Sequence, residues 1–65
     1  MKQNLREFLE TISPDSMIKI HFIDEVYFKG YAGELLGDED ELKHLENYDV
    51  IETELFLGVL NIEVV

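Results

Sequence analysis

An α+β fold in the order α-β-β-α-β-β, with a four-stranded antiparallel sheet and the helices gathered on one face, is what this 65-residue sequence predicts. Three observations carry that expectation. Leu5, Phe8, Leu9 and Ile12 recur at helical spacing. Met17 to Ile23 and Val26 to Tyr31 alternate with period 2, as half-buried strands do. The stretch from Val50 to Val65 folds back on itself about Leu57-Gly58 in a register that keeps its apolar positions together. So short a chain makes one domain, residues 1–65, near the lower size at which a core can form. The strand order second-first-fourth-third brings the apolar first and last strands to the centre. A small, partly open barrel is the alternative.

The first helix is predicted over Leu5 to Ile12, with Lys2, Arg6, Glu7 and Glu10 elsewhere on the wheel. Asn4 and Glu7 form a capping box, and Ser13-Pro14 stops the helix because a residue before proline avoids the α region. In the first strand Ile18, Ile20 and Phe22 share one face and Lys19 and His21 the other. The second strand sets Val26 and Phe28 against Tyr27, Lys29 and Tyr31. A two-residue loop between these strands mixes the faces, so a bulge or an odd-numbered loop is expected, pairing Phe22 with Phe28 and Ile20 with Gly30.

Ala32 to Leu36 reads as a single helical turn closed by Gly37 in a left-handed cap. Asp38 and Glu41 are a capping box for a further helix of about two turns, with acids at its positive end, Leu42 and Leu45 as its stripe and Asn47 as its C-cap. In the final hairpin Leu55 faces Leu60, Thr53 faces Ile62 and Ile51 faces Val64. The same register sets Glu52 against Glu63 on the outer side. Like charges across a pair destabilise, so that face is either wet or meets something positive.

The net charge is −10, and its distribution is uneven. Residues 34–54 hold nine acids against Lys43 alone. This argues against direct binding to nucleic acid or an anionic membrane and favours a basic protein partner or simple solubility. There is no cysteine, so neither disulfides nor thiolate metal sites can staple the fold, and a homodimer is the staple that remains. The N-terminus does not resemble a signal peptide and no apolar run reaches transmembrane length, so a soluble, cytoplasmic protein is expected.

Motifs for catalysis, metals and nucleotides fail on inspection. Ser13, Ser16, His21 and His44 make no recognisable nucleophile arrangement. Asp38 to Glu41 begins like a calcium loop, but Leu42 stands at the fifth position and Lys43 replaces the turn glycine. Asp40 and His44, one turn apart, read as a helix-stabilising pair rather than a metal site. Gly33 to Asp38 lacks the Gly-Lys-Ser/Thr sequel of a phosphate loop, and its acids repel phosphate. No enzyme, cofactor or metal is expected.

The acidic surface remains. Glu34, Asp38, Glu39, Asp40, Glu41, Glu46, Asp49, Glu52 and Glu54 are the candidate protein-binding residues, with Tyr27, Tyr31 and Tyr48 as an aromatic rim. Spread over on the order of 25 Å, these acids give about one charge per 3 Å, against roughly one per 1.7 Å along duplex DNA. A face of that density suits the phosphate-binding site of a DNA-handling protein. The alternative is an oligomer-forming structural module with no such mimicry. The amphipathic helix, the Ser-Pro-Asp stop, Ile18-Lys19-Ile20, the segment Gly30 to Leu36 and the final Leu60 to Val64 together resemble small phage and mobile-element proteins of Gram-positive bacteria. The resemblance implies an α+β mini-domain. Phage-encoded DNA-mimicking inhibitors, including anti-restriction and anti-CRISPR proteins, are similar in size and acidity.

Overall fold

A computed structural model describes residues 3–65. Its elements are β1 (Gln3–Asn4), α1 (Leu5–Glu10), β2 (Met17–Phe22), β3 (Glu25–Tyr31), α2 (Ala32–Gly37), α3 (Glu39–Leu45), β4 (Asp49–Phe56) and β5 (Val59–Val64). The protein is α+β, and the sheet runs β1-β4-β5-β2-β3. The helices lie on one face, where Leu5 and Leu9 of α1, Ala32 and Leu35 of α2, and Leu42 and Leu45 of α3 bury themselves against Ile18, Ile20, Ile62 and Val64.

The predicted sheet of four antiparallel strands is corrected to five strands of mixed direction, because β2 and β5 pair in parallel. The connection explains this. β3 ends with Tyr31 beside Met17, at the start of β2, whereas the start of β4 sets Val50 beside Val64, at the end of β5. Between them α2 and α3 carry the chain back along the whole length of the sheet, so the second hairpin enters from the opposite end. The fifth strand, β1, is two residues that pair with Asp49 and Val50 just before α1 begins.

Both bulges alter the predicted registers. In the first hairpin the turn is Ile23-Asp24, Phe22 pairs with Glu25, Ile18 with Gly30 and Ile20 with Phe28, and Tyr27 is the extra residue. The expected pairing of Phe22 with Phe28 is therefore three residues out and that of Ile20 with Gly30 two. Taking up the extra residue reverses the alternation. Tyr27 thus joins the helix side and Val26, at 49% exposure, the outer side, the opposite of their predicted faces. In the second hairpin Leu55–Leu60, Thr53–Ile62 and Glu52–Glu63 hold as expected. Val64 instead pairs with Val50, leaving Ile51 as the bulged residue.

Local chemistry sets the helix ends. Asn4 accepts from the Glu7 backbone N–H at 2.8 Å and donates to the Glu7 carboxylate at 2.9 Å. Thr11 caps the other end of α1 through its hydroxyl, which donates to the Phe8 carbonyl at 2.6 Å. Gly37 does not take the predicted left-handed conformation; it is the last residue of α2, and Asp38 joins the two helices in a non-helical conformation with φ −105° and ψ 90°. Asp38 accepts from the Glu41 N–H at 3.3 Å, while its own N–H is taken by the Leu35 carbonyl. Glu46, rather than Asn47, caps α3. Gly33 sits where α2 meets the loop after α1 and donates to the Pro14 carbonyl at 2.9 Å. A Cβ there would lie 3.1 Å from that oxygen, which accounts for the glycine.

The core is small, so each member counts. Ile62→Ala removes a fully buried side chain and should cost about 2–5 kcal/mol, out of a total stability of roughly 3–10 kcal/mol for a chain this size. Leu55→Ala, 72% exposed, should change stability by under about 0.5 kcal/mol. Urea denaturation of the two variants checks both.

Candidate functional site

The sheet divides the acidic residues. Glu34 of α2 and Asp38, Glu39, Asp40 and Glu41 at the start of α3 are exposed on the helix side. Glu34, Asp38, Glu39 and Asp40 line one open depression with Gly33 and Gly37, and no lysine or arginine among the described residues lines it. Glu41 is the α3 residue whose N–H is held by Asp38. The reason for this gathering is local: the break at Asp38 turns α3 so that its acidic first turn stands beside the end of α2. Negative charge at that end of a helix is also favoured by the backbone dipole.

Glu52 and Glu54 lie elsewhere. Period-2 alternation along β4 points them to the sheet face that no helix covers. There Glu52, Glu54 and Glu63 surround an opening of about 250 Å³ together with His21, Ile23, Thr53 and Asn61. The His21 Nε2 and Asn61 Oδ1 are 3.0 Å apart within it. Glu46 is engaged with Arg6, whose Nη1 sits 2.9 Å from its carboxylate, and Asp49 opens β4 with its backbone N–H and carbonyl both bonded to Val65. The nine predicted contacts therefore do not form one surface. Five gather on the helix side, Glu46 stands among the helices beside Arg6 and Lys43, Glu52 and Glu54 face away from them, and Asp49 lies at the start of β4.

The tyrosines divide as well. Tyr27 stacks on Phe22 with ring centroids 5.2 Å apart, and Tyr48 meets Tyr27 edge-on at 5.9 Å, so these two close one end of the core rather than framing an acidic surface. Desolvation there, followed by the neighbouring Tyr48 hydroxyl, raises the Tyr27 phenol above its ordinary 10.0. Tyr31 alone stands on the uncovered face, 47% exposed.

No protein-family model, no curated protein and no solved structure matches the chain. The geometry itself is thus what speaks for function. Asp40 and His44 are both exposed on α3, and among the described residues no group of three or more His, Asp or Glu is arranged to hold a metal ion. No helix is long and apolar enough to cross a membrane among the described residues.

One cluster went unpredicted. Leu55, Phe56 and Leu57 are all exposed at the tip of the second hairpin, where helices no longer cover the sheet. Leu57 has φ 51° and Gly58 φ 78°, both left-handed, as a type I′ turn requires. Asparagine tolerates the first of those positions and leucine does not, so the sequence keeps an apolar group at the tip against backbone preference. Leu57→Asn should therefore raise folding stability by about 1 kcal/mol, read as a higher urea midpoint at unchanged slope. A lower midpoint would show that the leucine contributes to the fold.

Proposed function

We propose that the chain is a small, non-enzymatic protein-binding module that presents the acidic depression between α2 and α3 to a basic partner in the cytoplasm. One observation supports this most. Glu34, Asp38, Glu39 and Asp40 are exposed and brought to one opening that no lysine or arginine among the described residues lines, and Glu39 also borders a second depression shared with Arg6 and Lys43. Carboxylates so placed gain little from the fold they belong to, and their summed field speeds encounter with a positive surface. The specific form of this reading is an inhibitor of phage or mobile-element type that occupies a phosphate-binding site on a DNA-handling protein. Its contact surface is then the helix side alone, smaller than the whole acidic third of the chain.

The test uses Glu34→Gln, Glu39→Gln and Asp40→Asn together, leaving Asp38 to cap α3. Immobilised wild type should retain basic, nucleic-acid-binding proteins from bacterial lysate at low salt and release them as ionic strength rises past ~0.1 M, where screening shortens to ~10 Å. The triple variant should retain at least about tenfold less, a change of ~1.4 kcal/mol. Retention that ignores salt, or equal retention by both proteins, removes the reading.

A further inference from the structure

The face of the sheet without helices has an order that strand register fixes. Nearest the Leu57-Gly58 turn, Phe56, Val59, Met17 and Tyr31 lie side by side across four strands. The next outward-facing rung is Glu54, Asn61, Lys19 and Lys29, and the third is Glu52, Glu63, His21 and Val26. The rungs that alternate with these contain Ile18, Ile20, Ile62 and Val64, all fully buried under the helices, which places these three rungs outside.

Charge on this face is sorted by hairpin. β4 and β5 bring Glu52, Glu54 and Glu63; β2 and β3 bring Lys19 and Lys29, with His21. Each half contains a like-charge pair on neighbouring strands, Glu52 with Glu63 and Lys19 with Lys29. Such pairs destabilise a sheet, and the ion pair formed among the described residues, Arg6 with Glu46, is elsewhere.

We propose that this face is covered by a second copy of the chain, related by a two-fold axis running along the strands between the two sheets. Rotation about that axis exchanges the left and right edges of the sheet and leaves position along the strands unchanged. β4 then lies over β3 of the other copy, and β5 over β2. Phe56 meets the partner's Tyr31 and Val59 meets the partner's Met17, so the apolar rung is covered by its own counterpart. Glu54 meets the partner's Lys29 and Glu63 meets the partner's His21, so each acidic half is covered by a basic one. The strands stay nearly aligned, as they do when two sheets pack about 10 Å apart.

The other two-fold arrangements fit less well. An axis across the strands lays β4 over β4 and acid over acid. Edge-to-edge pairing of β4 centred on Thr53 or Glu54 sets glutamate against glutamate, and any edge pairing leaves Met17 and Tyr31 uncovered. The face spans four strands and six residues, about 19 by 20 Å, or on the order of 400 Å² per copy and ~800 Å² in total, below the ~1,200 Å² of stable specific interfaces and in the range of weak, transient ones. The dimer is accordingly weak and concentration-dependent.

Charge reversal across the two-fold tests it. Glu54 and Lys29 are both exposed, so Glu54→Lys and Lys29→Glu should each leave thermal unfolding close to that of wild type. Sedimentation velocity from ~10 μM to ~1 mM, the range expected of so small an interface, should show wild type passing from monomer to dimer. Each single variant should remain monomeric over that range. An equimolar mixture of the two should dimerise, because one chain then supplies cations at both contacts and the other supplies anions. A wild-type protein that stays monomeric, or a dimer that both single variants retain, as edge pairing would give, overturns the proposal. The helix-side triple variant should dimerise as wild type does, which separates this result from the fate of the α2–α3 surface.

Discussion

The parallel contact between β2 and β5 is the constraint on which the rest of the structure depends. It joins the two hairpins into one sheet and sets Ile18 beside Leu60, Ile20 beside Ile62 and Phe22 beside Val64. Ile18, Ile20, Ile62 and Val64 are wholly buried, and they form the floor on which all three helices rest. Neither hairpin alone has enough apolar surface to be stable in water, and the helices are each shorter than an isolated helix can be. Stability comes from the join, and cooperativity should follow from it.

The same join makes the protein two-sided. With both crossing segments on one face, the other face receives whatever the outward positions of the strands happen to carry. Because each hairpin comes from a different part of the chain, and because acids are concentrated in the later part, the outer face is acidic on one side and basic on the other. The helix side is acidic for a separate reason, the first turn of α3. A chain of net charge −10 therefore presents two different electrostatic surfaces rather than one uniform field.

Much of this was legible in the residues. The helix stripe of Leu5 and Leu9, the Asn4–Glu7 cap, the Leu57-Gly58 turn and the pairing of Leu55 with Leu60 all rest on local spacing, and local spacing is what a sequence displays. The strand order also followed from burying the most apolar strands. Direction did not, because it depends on how far α2 and α3 carry the chain, and a break at Asp38 leaves that distance open. The mixed faces of the first hairpin called for a bulge or an odd-numbered loop but not for its place at Tyr27, and the bulge at Ile51 was hidden, since one added residue does not alter composition. Nearness along the chain from Glu34 to Glu54 does not bring the acidic candidates together in space, because β4 turns Glu52 and Glu54 away from the helices. The clue to the outer face was the Glu52–Glu63 pair, visible from the hairpin register alone.

Direction of the central strand pair is most directly read from cross-strand nuclear Overhauser effects in the isotope-labelled protein. Parallel pairing requires close backbone contacts of Met17 with Val59 and of Phe22 with Val64, at opposite ends of the sheet. Contacts of Met17 with Val64 and of Phe22 with Val59 would mean an antiparallel join, and with it a different floor for the helices and a different sorting of charge on the open face.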